Sequence, residues 1–125
     1  MDISHLDHLV LTVKDIEITV DFYQRVLGMK PIQFGEERWA LSFGNQKINL
    51  HQQGQEFEPK AKHVQAGSAD LCFITNTPID EVFDHITGQG VTIEEGPVER
   101  TGAVAKITSI YLRDPDGNLI EVSNY

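Results

Sequence analysis

Apolar residues change their period along the chain, and those changes divide it into elements. Residues 6–13 form a continuous apolar, β-branched run that predicts a strand. After Lys14-Asp15, the residues Ile16, Val20, Tyr23 and Leu27 recur at helical spacing; Asp15 suits an N-cap, Glu17 suits the positive end, and Gly28 is the expected stop. Three short strands are predicted next, over 30–34, 38–43 and 47–51, separated by Gly35-Glu36-Glu37 and by the turn Gly44-Asn45. Residues 52–67 are mostly polar and aperiodic, with Gly54 and Pro59, and read as a connecting loop. Beyond it, 70–75 is an apolar strand. Thr77 is the expected N-cap with Pro78 in the first helical position, and Ile79, Val82, Phe83 and Ile86 give a second helix its buried stripe, closed by Gly88 and Gly90. Residues 91–94, a segment near Val104, 107–113 and 119–123 supply the last strands, with Asp114-Pro115-Asp116-Gly117-Asn118 as a turn.

Both halves therefore read βαβββ, and their spacing agrees. His8 to Asp70 and Gly28 to Gly90 each span 62 positions, while Asn49 and Glu121 correspond at an offset of 72. With 125 residues there is room for one core, so the expectation is an α+β fold in a single domain spanning 1–125. Module one covers 5–53, the connecting loop 52–67 and module two 68–125, and the modules form a curved mixed sheet around a central cleft. Side chains alternate along a strand, so His8 shares a face with Val10 and Thr12, Asn49 with His51, Asp70 with Cys72 and Ile74, and Glu121 with Leu119 and Ser123. If the halves curve about a pseudo-twofold axis, His8, Asn49 or His51, Asp70 and Glu121 converge. Imidazole, carboxylate and amide donors in one place suit a first-row divalent ion. The blander readings are a strand histidine satisfied by its neighbours for His8 and His51, and solvent-facing carboxylates for Asp70 and Glu121. His5, His63 and His85 read as exposed.

Composition removes several function classes. A formal charge of -9 and a pI near 4.8, with no concentrated Lys/Arg stripe, argue against nucleic acid and anionic membrane partners. The start Met1-Asp2-Ile3-Ser4-His5 lacks the basic and apolar regions of a secretory signal, and no run reaches the roughly 18 apolar residues that span a bilayer, so a cytoplasmic location is expected. The single cysteine, Cys72, sits in an apolar run and reads as a small buried hydrophobe.

The run Leu6-Asp7-His8-Leu9-Val10-Leu11-Thr12-Val13, the helix end Phe22-Tyr23-Gln24-Arg25-Val26-Leu27-Gly28-Met29 and Asp114-Pro115-Asp116-Gly117-Asn118-Leu119-Ile120-Glu121 resemble the vicinal-oxygen-chelate (VOC) superfamily of glyoxalases, bleomycin-resistance proteins and dioxygenases. Within it, Gln46-Lys47-Ile48-Asn49-Leu50-His51, Glu56-Phe57-Glu58-Pro59-Lys60-Ala61 and Ile93-Glu94-Glu95-Gly96-Pro97-Val98 are similar to the glyoxalase domain-containing protein 5 group and to bacterial proteins described as virulence-associated. The resemblance implies paired βαβββ modules, a homodimer, and a metal held at His8, Asn49, Asp70 and Glu121, the ion being zinc, nickel, iron or manganese. Asn49 and Asp70 depart from glyoxalase I, where the second ligand is Glu or Gln and the third His; His51 is a substitute ligand on the face of Asn49. Thr12 stands where bacterial glyoxalase I carries its glutathione-binding Arg, and Val10 where fosfomycin-modifying enzymes carry Thr.

The resulting expectation is a metal-dependent lyase or isomerase of glyoxalase type acting on a small oxygen-chelating substrate by proton transfer through an enediolate. Glu121 is the first choice of base, and Asp70 the second. The alternative is a non-catalytic small-molecule or antibiotic-binding protein of the same fold. For an anionic substrate the candidate cations are Lys47, Arg113 and, preferred, Arg100 in a mobile 96–102 loop.

Overall fold

The computed structural model describes residues 1–125. Its elements are β1 (His8–Val13), α1 (Ile16–Leu27), β2 (Lys30–Phe34), β3 (Arg38–Phe43), β4 (Gln46–Gln52), β5 (Asp70–Ile74), α2 (Ile79–Gly88), β6 (Glu95–Thr101), β7 (Lys106–Arg113) and β8 (Leu119–Asn124). They fall into two compact units, Met1–Ala66 and Gly67–Tyr125, each a βαβββ module with its own four-stranded mixed sheet.

In module one the strand order is β1-β4-β3-β2, with β1 parallel to β4 and the other pairs antiparallel. A parallel neighbour needs a long crossover, which α1 and the β2–β3 hairpin supply. Asp15 caps α1 by accepting a hydrogen bond from the Ile18 N–H at 3.1 Å, and Gly28 ends it at φ 68, a left-handed conformation that a Cβ would oppose. The helix packs on β2, β3 and β4 and buries Thr19, Phe22, Tyr23 and Val26. That stripe lies one step round from the expected Ile16, Val20 and Leu27, which are half-buried. Leu41, Ile48 and Leu50 complete the core, and burial of each large apolar side chain contributes about 1.5–3 kcal/mol.

Module two repeats the plan. Its order is β5-β8-β7-β6 with β5 parallel to β8, and its core holds Val82, Ile86, Ile110, Leu112, Ile120 and Val122. The register repeats as well: Val10 pairs with Asn49 in one module, and Cys72 with Glu121 in the other, matching the offsets of 62 and 72. The turn after β7 is anchored by buried Asp114, whose carboxylate accepts from the backbone N–H groups of Asp116 and Asn118 and from the Asn118 amide. The Asn118 carbonyl in turn accepts from the Ala69 N–H at 2.8 Å and so fixes the entry to β5.

Several sequence expectations need correction. Pro78, not Thr77, stands at the N-cap of α2, with no side-chain capping bond. Residues 91–94 precede the strand and Val104 is an exposed bend residue, whereas β6 runs through the 96–102 segment expected to be a loop. Gly96 and Pro97 look like breakers, but β6 is an edge strand, where a missing N–H costs no ladder bond, and its register shifts between Glu95 and Val98. Arg100 therefore sits in a strand. Strand β4 extends the expected 47–51 by one residue at each end, so Lys47 lies within it.

Gly96 has φ 109, and a Cβ there would stand 2.3 Å from the Ser109 carbonyl oxygen. Gly96→Ala should cost about 1–3 kcal/mol in chemical denaturation. Gly88→Ala at the end of α2, where a Cβ meets nothing within 4 Å, should be neutral or stabilising by up to about 1 kcal/mol.

Candidate functional site

The residues singled out by sequence lie on one face of each sheet. In module two, β8 alternates so that Ile120 and Val122 enter the core while Glu121 faces the other way with Leu119 and Ser123. The ladder sets Glu121 beside Cys72 of β5 and Tyr111 of β7. Ser109 Oγ donates to Glu121 Oε2 at 2.6 Å and is itself 2.6 Å from Ser123 Oγ, so the carboxylate is held from below by buried hydroxyls. The Tyr111 hydroxyl, on the residue paired with Glu121, accepts from Arg100 Nε at 3.1 Å. Burial pushes the Tyr111 phenol up; the Arg100 bond opposes this and the Glu121 charge adds to it. Cys72 Sγ is 3.4 Å from Ser123 Oγ, and burial raises its thiol pKa, with the Glu121 charge acting in the same direction. A raised thiol is a poor nucleophile, but Cys72 is not the buried hydrophobe expected from its apolar run: it lies on the exposed face of β5 with Asp70 and Ile74. Cys72, Arg100, Tyr111 and Glu121 wall a cavity of about 390 Å³, together with Ile74, Ala103 and Ile107.

In module one the corresponding face carries His8, Val10 and Thr12 on β1 beside Lys47, Asn49 and His51 on β4. His8 is half-exposed, and its Nδ1 bonds to Asp7 Oδ1 at 2.7 Å, a contact that lowers the Asp7 pKa. This bond engages Nδ1, so Nε2 is the ring nitrogen left without a protein partner. His51 is buried, with the Phe57 ring edge-on at 5.4 Å, and burial, then the Arg38 charge, lowers its pKa. Two buried polar atoms have no protein partner, Asn49 Oδ1 and His51 Nδ1. Val10, Thr12 and His51 line a second cavity of about 370 Å³ with Pro59, Lys60 and Val64 from the connecting loop.

Asn49 and His51 thus stand two apart on one strand, His8 lies at the start of β1, exposed Asp70 starts β5, and Glu121 is central in β8. No three His, Cys, Asp or Glu side chains come together as a set that could hold an ion. Singly, the donors fit a divalent metal. A carboxylate on the Nδ1 of His8 fixes the tautomer that presents Nε2, the usual arrangement behind a metal-bound imidazole. Asn49 Oδ1 is unspent, and the carboxylate of Glu121 keeps acceptor capacity beyond its hydroxyl partners.

The candidate substrate cations all have partners. Lys47 Nζ lies 4.1 Å from the Phe34 ring centroid, and Arg113 forks onto both oxygens of Glu94 and reaches the Gly117 carbonyl. Arg100 donates to Tyr111, to the Glu99 carbonyl and to Glu95. Tyr111 and Ser109 escaped sequence reading. The signal was the hairpin: pairing β7 with β8 across the Asp114–Asn118 turn sets Tyr111 opposite Glu121 and Ser109 opposite Ser123.

The match to known proteins covers nearly the whole chain. A family model for the Glyoxalase/Bleomycin resistance protein/Dioxygenase superfamily matches residues 5–122, and the chain belongs to that superfamily. It is 62% identical over 125 residues to Virulence protein STM3117 of Salmonella typhimurium, covering all of this chain and 87% of that protein, whose crystal structure superposes with a TM-score of 0.99. It is 56% identical to Glyoxalase domain-containing protein RDO1 of Mycosarcoma maydis, covering 100% of this chain and 70% of that one. An integron cassette protein from the mobile metagenome of V. Cholerae is 67% identical with a TM-score of 0.99, over 100% of this chain and 98% of that one. More distant relatives include Metallothiol transferase FosB of Shouchella clausii at 26% and Lactoylglutathione lyase GLX1 of Arabidopsis thaliana at 27%.

Ser109→Ala should cost about 1.5–3 kcal/mol in urea denaturation, because it strips a carboxylate of a buried donor. Combined with Glu121→Ala, the losses should fall short of additive by about 1 kcal/mol, since both changes remove one interaction; strict additivity in the double-mutant cycle would contradict the contact.

Proposed function

We propose that this chain is a divalent-metal-dependent enzyme of glyoxalase type, a lyase or isomerase that moves a proton on a small molecule presenting two neighbouring oxygens. The observation that carries this reading is the seating of Glu121, a carboxylate facing a cavity, held by Ser109 and flanked by Tyr111. His8 and Glu121 would hold the ion, with Asn49 or His51 and Asp70 as further donors; zinc, nickel, iron and manganese all suit nitrogen and oxygen ligands. A bound divalent ion supplies Lewis-acid polarisation of substrate oxygen. Glu121 is the group that accepts the substrate proton, positioned by the serine hydroxyls below it and by the phenol beside it, with Asp70 as the second carboxylate.

The second reading is a non-catalytic small-molecule-binding protein of the same fold. It is favoured by the lack of any grouping of three His, Cys, Asp or Glu side chains within the chain. In either case a cytoplasmic homodimer is the proposed assembly. Exposed Leu6, Val10 and Ile18 are apolar surface that a partner would cover, and the single unpaired cysteine suits a reducing compartment.

Elemental analysis after incubation with each of the four metals should give about one ion per chain. His8→Ala should lower that content at least tenfold in affinity, and Glu121→Gln should suppress turnover more than binding. Protein that takes up no metal moves the conclusion to the binding reading. Sedimentation equilibrium should give twice the 14.0 kDa chain mass.

A further inference from the structure

The cavity on module two is one-sided in its chemistry. Glu121 and the Tyr111 phenol supply polar lining, and Ile74, Ala103 and Ile107 supply apolar surface. The one cation at its rim, Arg100, has an acceptor on every guanidinium nitrogen: Nε on Tyr111 Oη at 3.1 Å, one terminal nitrogen on the Glu99 carbonyl at 3.0 Å and the other on Glu95 Oε1 at 2.9 Å. It also lies 5.5 Å from the Tyr111 ring centroid. Three of its five N–H donors are therefore engaged, one of them on the phenol. A carboxylate entering the cavity would compete with Glu95 for the guanidinium and would face both Glu95 and Glu121 across it. The chain's net charge of -9 adds to that repulsion. An uncharged apolar group meets no such opposition and removes water from Ile74, whose side chain is 48% exposed.

We propose that this cavity receives the uncharged, apolar body of the ligand, whose oxygen-bearing end meets Glu121, and that ligands with an anionic tail are selected against. This rests on the glyoxalase-type reading for the oxygen-bearing end only. A volume of about 390 Å³ lies at the small end of ligand pockets and suits a body of one ring or a short branched chain.

The test is calorimetric titration with 2-hydroxyacetophenone, an uncharged hydroxyketone, and with its 4-carboxy analogue, using protein whose metal content is measured on the same sample. The neutral probe should bind at least tenfold more tightly than the carboxylated one. Ile74→Lys, a change at an exposed position that the fold tolerates, should narrow or reverse that preference by placing a cation on the cavity wall. Equal or tighter binding of the carboxylated probe, lost in Arg100→Ala, overturns the proposal, as does failure of both probes to bind or a preference that Ile74→Lys leaves unmoved. Metal-free protein that keeps the neutral preference defeats the metal assignment but sustains this inference; metal-loaded protein that prefers the carboxylated probe does the reverse.

Discussion

In each module the strand before the helix lies parallel to the module's last strand, and this pairing decides which side chains from distant segments share a face. Val10 meets Asn49 and Cys72 meets Glu121 through the same register, although the partners are separated by a helix and two strands. Slipping β8 by one residue would turn Glu121 into the core and bring fully buried Ile120 out to water. The alternation of apolar and polar residues therefore locks the register, and the register locks the site. The same constraint sets Ser109 and Tyr111 beside Glu121 from the antiparallel side.

The two modules share this frame and diverge in what they hang on it. At equivalent places module one carries Val10, Asn49 and His51, and module two Cys72, Glu121 and Ser123. The first set leaves two buried polar atoms without protein partners, while the second is knitted together by hydroxyls. A buried polar atom left unpaired costs free energy, so Asn49 Oδ1 and His51 Nδ1 mark module one as the half with donors to spare. Module two has the opposite character, with a carboxylate already oriented and little left to rearrange.

Charge is handled locally throughout. The protein is strongly acidic, yet the cations near the two faces are each committed, Arg100 and Arg113 to glutamates and Lys47 to an aromatic ring. These are partly exposed contacts of modest individual worth, and their effect is on orientation. Arg100 in particular acts through Tyr111.

The bounds of β2 and β3, the Asp15 cap and the Gly28 stop were legible because each depends on residues within a few positions: side-chain alternation, an oxygen beside free N–H groups, a glycine that tolerates positive φ. The internal repeat was legible because spacing alone reveals it, and the superfamily followed from three local runs. Strand β6 was not, since Gly96 and Pro97 break a strand in isolation and only the edge of a sheet excuses them. Nor were the roles of Tyr111, Ser109 and Arg100. No periodicity marks them, because their partners are fixed by a hairpin register and by neighbouring strands. The sequence by itself determined the elements and their repeat, since these rest on local backbone preference and hydrophobic period. Tertiary structure decided which polar side chains meet and which cations are already spent, because those contacts form between strands whose pairing depends on the packed core.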